Sequence, residues 1–105
     1  MLIALDYDGT YTADPLLWDA FIAHARIRGH EVHVVTMRSA SEPVRVGAHV
    51  DRVHYTDRKA KRPYMQARGL VVQVWVDDMP DFIVGDAAPR SLAKNASSGI
   101  WTGEA

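Results

Sequence analysis

Residues 2–10 read Leu2-Ile3-Ala4-Leu5-Asp6-Tyr7-Asp8-Gly9-Thr10: a short apolar run ending in two carboxylates, a glycine and a hydroxyl. A run this short, apolar at every position, has the pattern of a strand covered on both faces, as in a parallel sheet. Asp6 and Asp8 fall where that strand leaves the core. Residues two apart on a strand point the same way, although a turn at Asp8-Gly9 could alter that. Two carboxylates this close repel each other unless a cation or a shared proton compensates. The carboxyl edge of a parallel sheet is the usual ligand crevice of such folds. The same residues also read as a strand followed by an Asp-Gly hairpin turn, and the rest of the chain decides between the two.

After a short turn, Asp14-Pro15 has the form of an N-cap followed by proline at the first helical position. Leu17, Phe21 and Ala25 recur at helical spacing with Trp18 and Ile22 beside them, giving one broad face to pack on the sheet. Gly29 suits a helix C-terminus, and the β-branched stretch 32–36 suits a second strand. Strand, helix and strand in such close succession imply a right-handed crossover and a parallel pair. Ser41-Glu42-Pro43 opens a weaker expected helix reaching about Ala48. Residues 50–55 read as a third strand, and 59–68 as a basic helix with Pro63 in its first turn, ended by Gly69. Residues 70–76 are the most hydrophobic run and are expected to form a central strand; they end at Asp77-Asp78. The stretch around Phe82-Ile83-Val84 has no assigned type. Residues 85–105 are weakly patterned, with a helical turn expected at Ser91-Leu92-Ala93-Lys94 and an edge strand at Ile100-Trp101. The alternation predicts an α/β fold, a three-layer α/β sandwich with a mostly parallel sheet, as one domain over residues 1–105. In such a sheet the strand exits share one edge, so Asp6, Asp8, Thr36, Asp77 and Asp78 are expected to converge.

Composition removes several classes of function. A net charge of −1 over 105 residues gives no electrostatic case for nucleic-acid or membrane binding. No cysteine is present, which excludes disulfides and thiolate metal sites and suits a cytoplasmic setting. The apolar start is too short for a signal peptide and is interrupted by Asp6; no segment approaches the roughly 20 apolar residues of a membrane span. His24, His30, His33, His49 and His54 lack zinc-ligand spacing and read as surface or packing residues, as Trp18 and Trp75 read as packing.

Four acidic groups at one edge call for a counter-ion, and an oxygen-only donor set favours a hard cation such as Mg2+. A carboxylate beside such an ion can attack the phosphorus of a phosphate ester and form an aspartyl-phosphate. Attack by one anion on another needs further positive charge, which a lysine of Arg58-Lys59-Ala60-Lys61-Arg62 can supply. Thr36 offers a hydroxyl to phosphate oxygens, and a second carboxylate can serve as general acid and base. Other readings stand beside these. Asp77-Asp78 could cap a helix before Met79-Pro80, Thr36 could be a strand residue only, and the basic run could be a solvated helix face.

The order Asp6-Tyr7-Asp8-Gly9-Thr10, then Thr36, a lysine near 61, and Asp77-Asp78 resembles the four-motif signature of the haloacid dehalogenase superfamily, mainly its phosphatases, over residues 1–84. The resemblance implies Asp6 as nucleophile and Mg2+ ligand, and Asp8 as acid/base with its backbone carbonyl on the metal. It implies Thr36 as the phosphate-binding hydroxyl, Asp77 as a metal ligand, and Asp78 as a direct or water-mediated one. Lys61, closest to Pro63 and the helix body, is preferred to Lys59 as the phosphate-contacting lysine. Arg38 is either a surface residue or a second phosphate contact. Larger members insert a cap domain; residues 10–14 and 37–50 leave no room for one, so no cap domain and an open site are expected. The expected activity is Mg2+-dependent hydrolysis of phosphate monoesters. The alternatives are a receiver-like domain, faintly echoed by Tyr55-Thr56-Asp57, and a degenerate binding module without turnover. An open site would be covered by a large phosphorylated substrate or by a second subunit in a homodimer.

Overall fold

The computed structural model describes residues 1–88. Its elements run β1 (Leu2–Leu5), α1 (Pro15–Ile27), β2 (Glu31–Thr36), β3 (Arg52–Tyr55), α2 (Lys61–Gln66), β4 (Val74–Val76) and α3 (Asp81–Val84), with a 3-10 turn at Tyr11–Ala13 before α1. The strands form one sheet in the order β3-β2-β1-β4, and every neighbouring pair is parallel. The result is a three-layer α/β sandwich with a Rossmann-like, haloacid-dehalogenase-like topology. The hairpin reading of Asp8-Gly9 is thereby excluded, because β1 has parallel neighbours on both sides.

Period-two alternation distributes the strand residues between two cores. Ile3, Leu5 and Val32 pack with Ile22 and Ala25 of α1, joined by Trp18, Phe21, Val74 and Val76. Ala4 and Val35 face the other way, onto Met65 of α2, with Tyr64, Leu70, Val72 and Trp75 around them. Ile22 is wholly buried, which is worth on the order of 2 kcal/mol for a side chain of its size. The start of α1 follows the expectation: the Asp14 carboxylate accepts the Leu17 N–H at 3.2 Å, with proline at the head of the helix. Leu17 itself is an exception to the expected face, being 55% exposed.

Two expectations are corrected. Residues 70–76 do not make a central strand; only Val74–Val76 pair, at the sheet edge beside β1. Leu70 and Val72 use their apolar side chains to cover Met65 on the way from α2 into β4, rather than to extend the ladder. Residues 41–48 form no helix. Four of their backbone N–H groups are taken by side chains from elsewhere: Val44 by the Tyr55 hydroxyl, Arg45 by Tyr7, Gly47 by Tyr11 and Ala48 by the Asp19 carboxylate, at 2.8–3.2 Å. These bonds satisfy the donors that a helix would have used.

The third strand starts at Arg52, two residues later than expected, and Asp51 just before it ties the chain to β2 and α1. The Asp51 carboxylate accepts the Val32 N–H at 2.8 Å, and Arg26 Nε–H and Nη2–H at 3.3 and 3.2 Å. The turn and edge strand expected at 91–94 and 100–101 lie outside the described residues. Among the described residues, no helix is long and apolar enough to cross a membrane.

Candidate active site at the carboxyl edge of the sheet

Parallel pairing brings the ends of β1, β2 and β4 to one edge, around a cleft of about 680 Å³ lined by Asp6, Thr36, Arg38, Lys61, Asp77 and Asp78 among others. Asp6 directly follows β1 and is held by its backbone, whose N–H donates to the Val76 carbonyl at 2.9 Å. The chain then turns sharply through Gly9, at φ +84°. That left-handed conformation favours glycine, and a second constraint is steric, since a β-carbon there would overlap the Asp78 carboxylate.

Lys61, at the start of α2, is buried and inserts its ammonium between two carboxylates. It donates to Asp6 Oδ1 at 2.7 Å and to Asp77 Oδ2 at 2.6 Å. Asp77 Oδ1 also accepts the Met79 N–H at 2.9 Å, so this residue does cap the turn toward α3 while serving the cleft. Lys59 points elsewhere, with its side chain 71% exposed and its ammonium 3.9 Å from Asp86. Thr10 closes the cluster. Its hydroxyl lies 3.1 Å from Asp6 Oδ2 and 3.2 Å from Asp78 Oδ1, and accepts the Asp78 N–H at 3.1 Å. A hydroxyl has one proton to give, so one of these two carboxylates is always left for another donor or a cation.

Asp6, Asp77 and Asp78 each offer an oxygen such that all three atoms lie within 4.8 Å of one another. Burial pushes the Asp6 carboxyl up to about 7, against the pull of Lys61, with Asp78 and Asp77 adding to the rise. One ammonium therefore only partly compensates three carboxylates, and a divalent cation would complete the balance.

Thr36 ends β2 and is buried. Its hydroxyl oxygen accepts the Arg38 N–H at 3.2 Å, which leaves its own proton to donate. Asp8 does not join the acidic triad. Its carboxylate receives Arg38 in a two-bonded fork, Nε to Oδ2 at 2.9 Å and Nη2 to Oδ1 at 2.8 Å.

Several residues at or near the cleft had no role in the sequence reading. Thr10 lay in the quoted motif, where a hydroxyl four residues after Asp6 was the signal to follow. Arg58 gave no such signal. It reaches the cleft because Asp57 and Arg58 both take left-handed backbone, at φ +53° and +72°. Its guanidinium and N–H both donate to the Met37 carbonyl, at 2.6 and 2.9 Å, tying the β3 exit to the β2 exit.

No protein-family model, curated protein or solved structure matches this chain significantly.

Proposed function

We propose that this chain is a Mg2+-dependent phosphohydrolase of phosphate monoesters that works through an aspartyl-phosphate on Asp6, as a member of the haloacid dehalogenase superfamily. The observation that carries this reading is the placement of the Lys61 ammonium between Asp6 and Asp77, inside a cleft that also holds Thr36. A buried nucleophilic carboxylate, a fixed cation and a hydroxyl donor are what in-line attack on a phosphate dianion requires.

The residues present fit Mg2+. The donor set is oxygen only, three carboxylates come within 4.8 Å, and their charge exceeds that of Lys61. Asp6, Asp77 and Asp78 would hold the ion, with the Asp8 carbonyl as the resemblance implies. When bound, the ion supplies charge neutralisation for the phosphate oxygens.

In the first step a carboxylate oxygen of Asp6 attacks phosphorus while Lys61 and the Thr36 hydroxyl donate to the non-bridging oxygens. The bond from phosphorus to the ester oxygen breaks, and Asp8, freed from the Arg38 fork and protonated, gives its proton to that oxygen, releasing the alcohol. In the second step Asp8, now a carboxylate, takes a proton from water as the water oxygen attacks phosphorus. The bond to Asp6 breaks, which regenerates its carboxylate and yields inorganic phosphate. In a receiver-like module Asp57 would be the phosphoacceptor; its carboxylate lies outside the acidic triad and lines a neighbouring cleft, which speaks against that reading.

The test is phosphate release with and without Mg2+ from sugar phosphates, nucleotides, phosphopeptides and phosphate-ended oligonucleotides. Turnover by the wild type, lost with chelator and in a folded Asp6→Asn variant, is the expected result. Metal-independent turnover, or full activity in Asp6→Asn, overturns it.

A further inference from the structure

Apart from the acidic triad, Lys61 and Thr36, the cleft has a side built from the chain that follows β4. Residues 79–88 turn through α3 and return to the β3 exit, where the Ala87 N–H donates to the Arg58 carbonyl at 2.8 Å. Among the described residues that line the cleft, this segment supplies Met79, Phe82, Ala87 and Ala88, every one apolar. Its acids are used elsewhere: Asp86 accepts the Ala60 N–H at 2.7 Å, and Asp81 heads α3 outside the cleft lining. Met37, directly after Thr36, adds another apolar side chain to the lining. Met79 is 46% exposed although its backbone is pinned, its N–H on Asp77 Oδ1 at 2.9 Å and its carbonyl on the Phe82 N–H at 3.0 Å. An exposed methionine held beside a polar site offers an adaptable apolar surface to a ligand rather than a core contact. The charged residues that share the cleft outside the triad pair with one another. Arg38 meets Asp8 at 2.8 Å and Arg58 meets Glu42 at 3.8 Å, so each pair cancels in charge.

We infer that Met37 and residues 79–88 form the subsite for the organic group of the ester, and that this group is a small aryl or arylalkyl unit. The inference rests on the hydrolase reading and names its substrate class. An ester whose phosphate lies on Lys61 and Thr36 has its organic group in the remainder of the cleft or in solvent. Apolar side chains favour the first by removing apolar surface from water. The cleft volume of about 680 Å³ is that of a site for a small ligand. Contacts between methionine sulfur and a ring add to the burial of a flat group, and alanine at positions 87 and 88 leaves width for one. A sugar or a charged head group would give up water there and meet only apolar side chains from this segment. Met79, the most exposed of these large side chains, is the specificity-determining residue on which the inference is tested.

The experiment uses the full chain with Mg2+, in two arms. In the binding arm, methylphosphonate and benzylphosphonate, which are not hydrolysed as esters, are titrated by calorimetry. Benzylphosphonate should bind at least about 10-fold more tightly. Met79→Ser should remove most of that advantage and leave methylphosphonate within about 2-fold of wild type, while Met79→Leu should keep the advantage. The kinetic arm compares propyl phosphate with 3-phenylpropyl phosphate, whose leaving alcohols are about equally basic. Wild type should favour the second by about 10-fold in kcat/KM, and Met79→Ser by about 2-fold or less. Equal affinity for the two phosphonates, with turnover still dependent on Mg2+, overturns the inference and leaves the hydrolase reading standing. A ring preference unchanged in Met79→Ser places the ring elsewhere and also overturns it. So does a phosphotyrosyl peptide hydrolysed about 10-fold faster than free phosphotyrosine, since recognition would then lie outside the cleft. If neither phosphonate binds and no ester is hydrolysed with Mg2+, the hydrolase reading falls and its substrate class with it.

Discussion

Gly9 leaves room for the Asp78 carboxylate: a β-carbon at Gly9 would occupy the space that Asp78 Oδ2 fills. The turn after β1 and the exit of β4 are thereby locked together at the point where the acidic cluster forms. Gly9→Ala meets two penalties, the clash and a φ of +84°, and should cost about 1–2 kcal/mol of stability. The larger effect should fall on Mg2+. Displacing Asp78 weakens the cluster, so the variant should need at least about 10-fold more Mg2+ for the same rise in Tm. Thermal melts across a Mg2+ titration check this; an unchanged midpoint would mean that Asp78 is not a ligand.

Proton and metal should compete at Asp6. Burial and the neighbouring carboxylates raise its carboxyl from 3.8 to about 7 in the folded chain. Between those values the folded protein keeps a proton that the unfolded chain has released, so without metal the contribution of Asp6 to stability falls as pH rises from about 4 to 7. Mg2+ needs the ionised form. The Tm increase that it produces should be small at about pH 5.5 and reach its full size above pH 7. Lys61→Met removes the charge that pulls Asp6 downward, so this profile should move to higher pH. Differential scanning calorimetry at several pH values reads both effects, and a Mg2+ response independent of pH would contradict them.

A second titration lies far from the cleft. His33 and His54 stack on neighbouring strands, with centroids 5.1 Å apart, and His33 Nδ1 lies 2.9 Å from His54 Nε2. Glu31 only accepts, so His33 Nε2–H donates to it at 3.1 Å; with His33 neutral its Nδ1 is the acceptor and His54 Nε2–H the donor, and with His33 protonated the roles reverse. Burial, followed by the charges of His33, Arg52 and Arg68, pushes His54 down to about 4. As pH falls from about 6.5 to 4 the unfolded chain gains a proton that folded His54 refuses, so the contribution of His54 to stability is full above that window and declines within it, opposite in sign to that of Asp6. The loss should be on the order of 2 kcal/mol. The difference between urea melts of the wild type and of His54→Gln at several pH values measures it, and that difference should shift against the wild type as pH falls through the window. A difference independent of pH would contradict the assignment to His54.

What could be read from the sequence was whatever depends on order along the chain. Strand, helix and strand in close succession made β1 and β2 parallel, and parallel strands bring Asp6 and Asp77 to one edge however far apart they lie. The Asp14-Pro15 helix start is purely local chemistry and was legible for the same reason. Long-range competition was not legible. The N–H groups of Val44, Arg45, Gly47 and Ala48 are claimed by Tyr55, Tyr7, Tyr11 and Asp19, and no local pattern announces such partners. The His33–His54 contact needs the β2–β3 register, in which Val35 lies opposite His54. Hydrophobicity alone did not separate a central strand from an apolar crossover at residues 70–73, since both cover Leu70 and Val72 and no local signal marks Val71 as exposed. Arg38 could be placed near the cleft, but its fork to Asp8 depends on a backbone turn that spacing does not encode.

The central claim is that Asp6 carries the phosphoryl group. Asp8→Asn should slow water attack more than the first transfer from an ester with a good leaving group, so the intermediate should accumulate. The measurement is intact-protein and peptide mass spectrometry of this variant, quenched in acid after mixing with Mg2+ and p-nitrophenyl phosphate. The predicted result is the mass gain of one phosphoryl group, located on Asp6 and absent when Mg2+ is chelated. Release of p-nitrophenol with no phosphoryl group on the chain, or with the group on another residue, would contradict it.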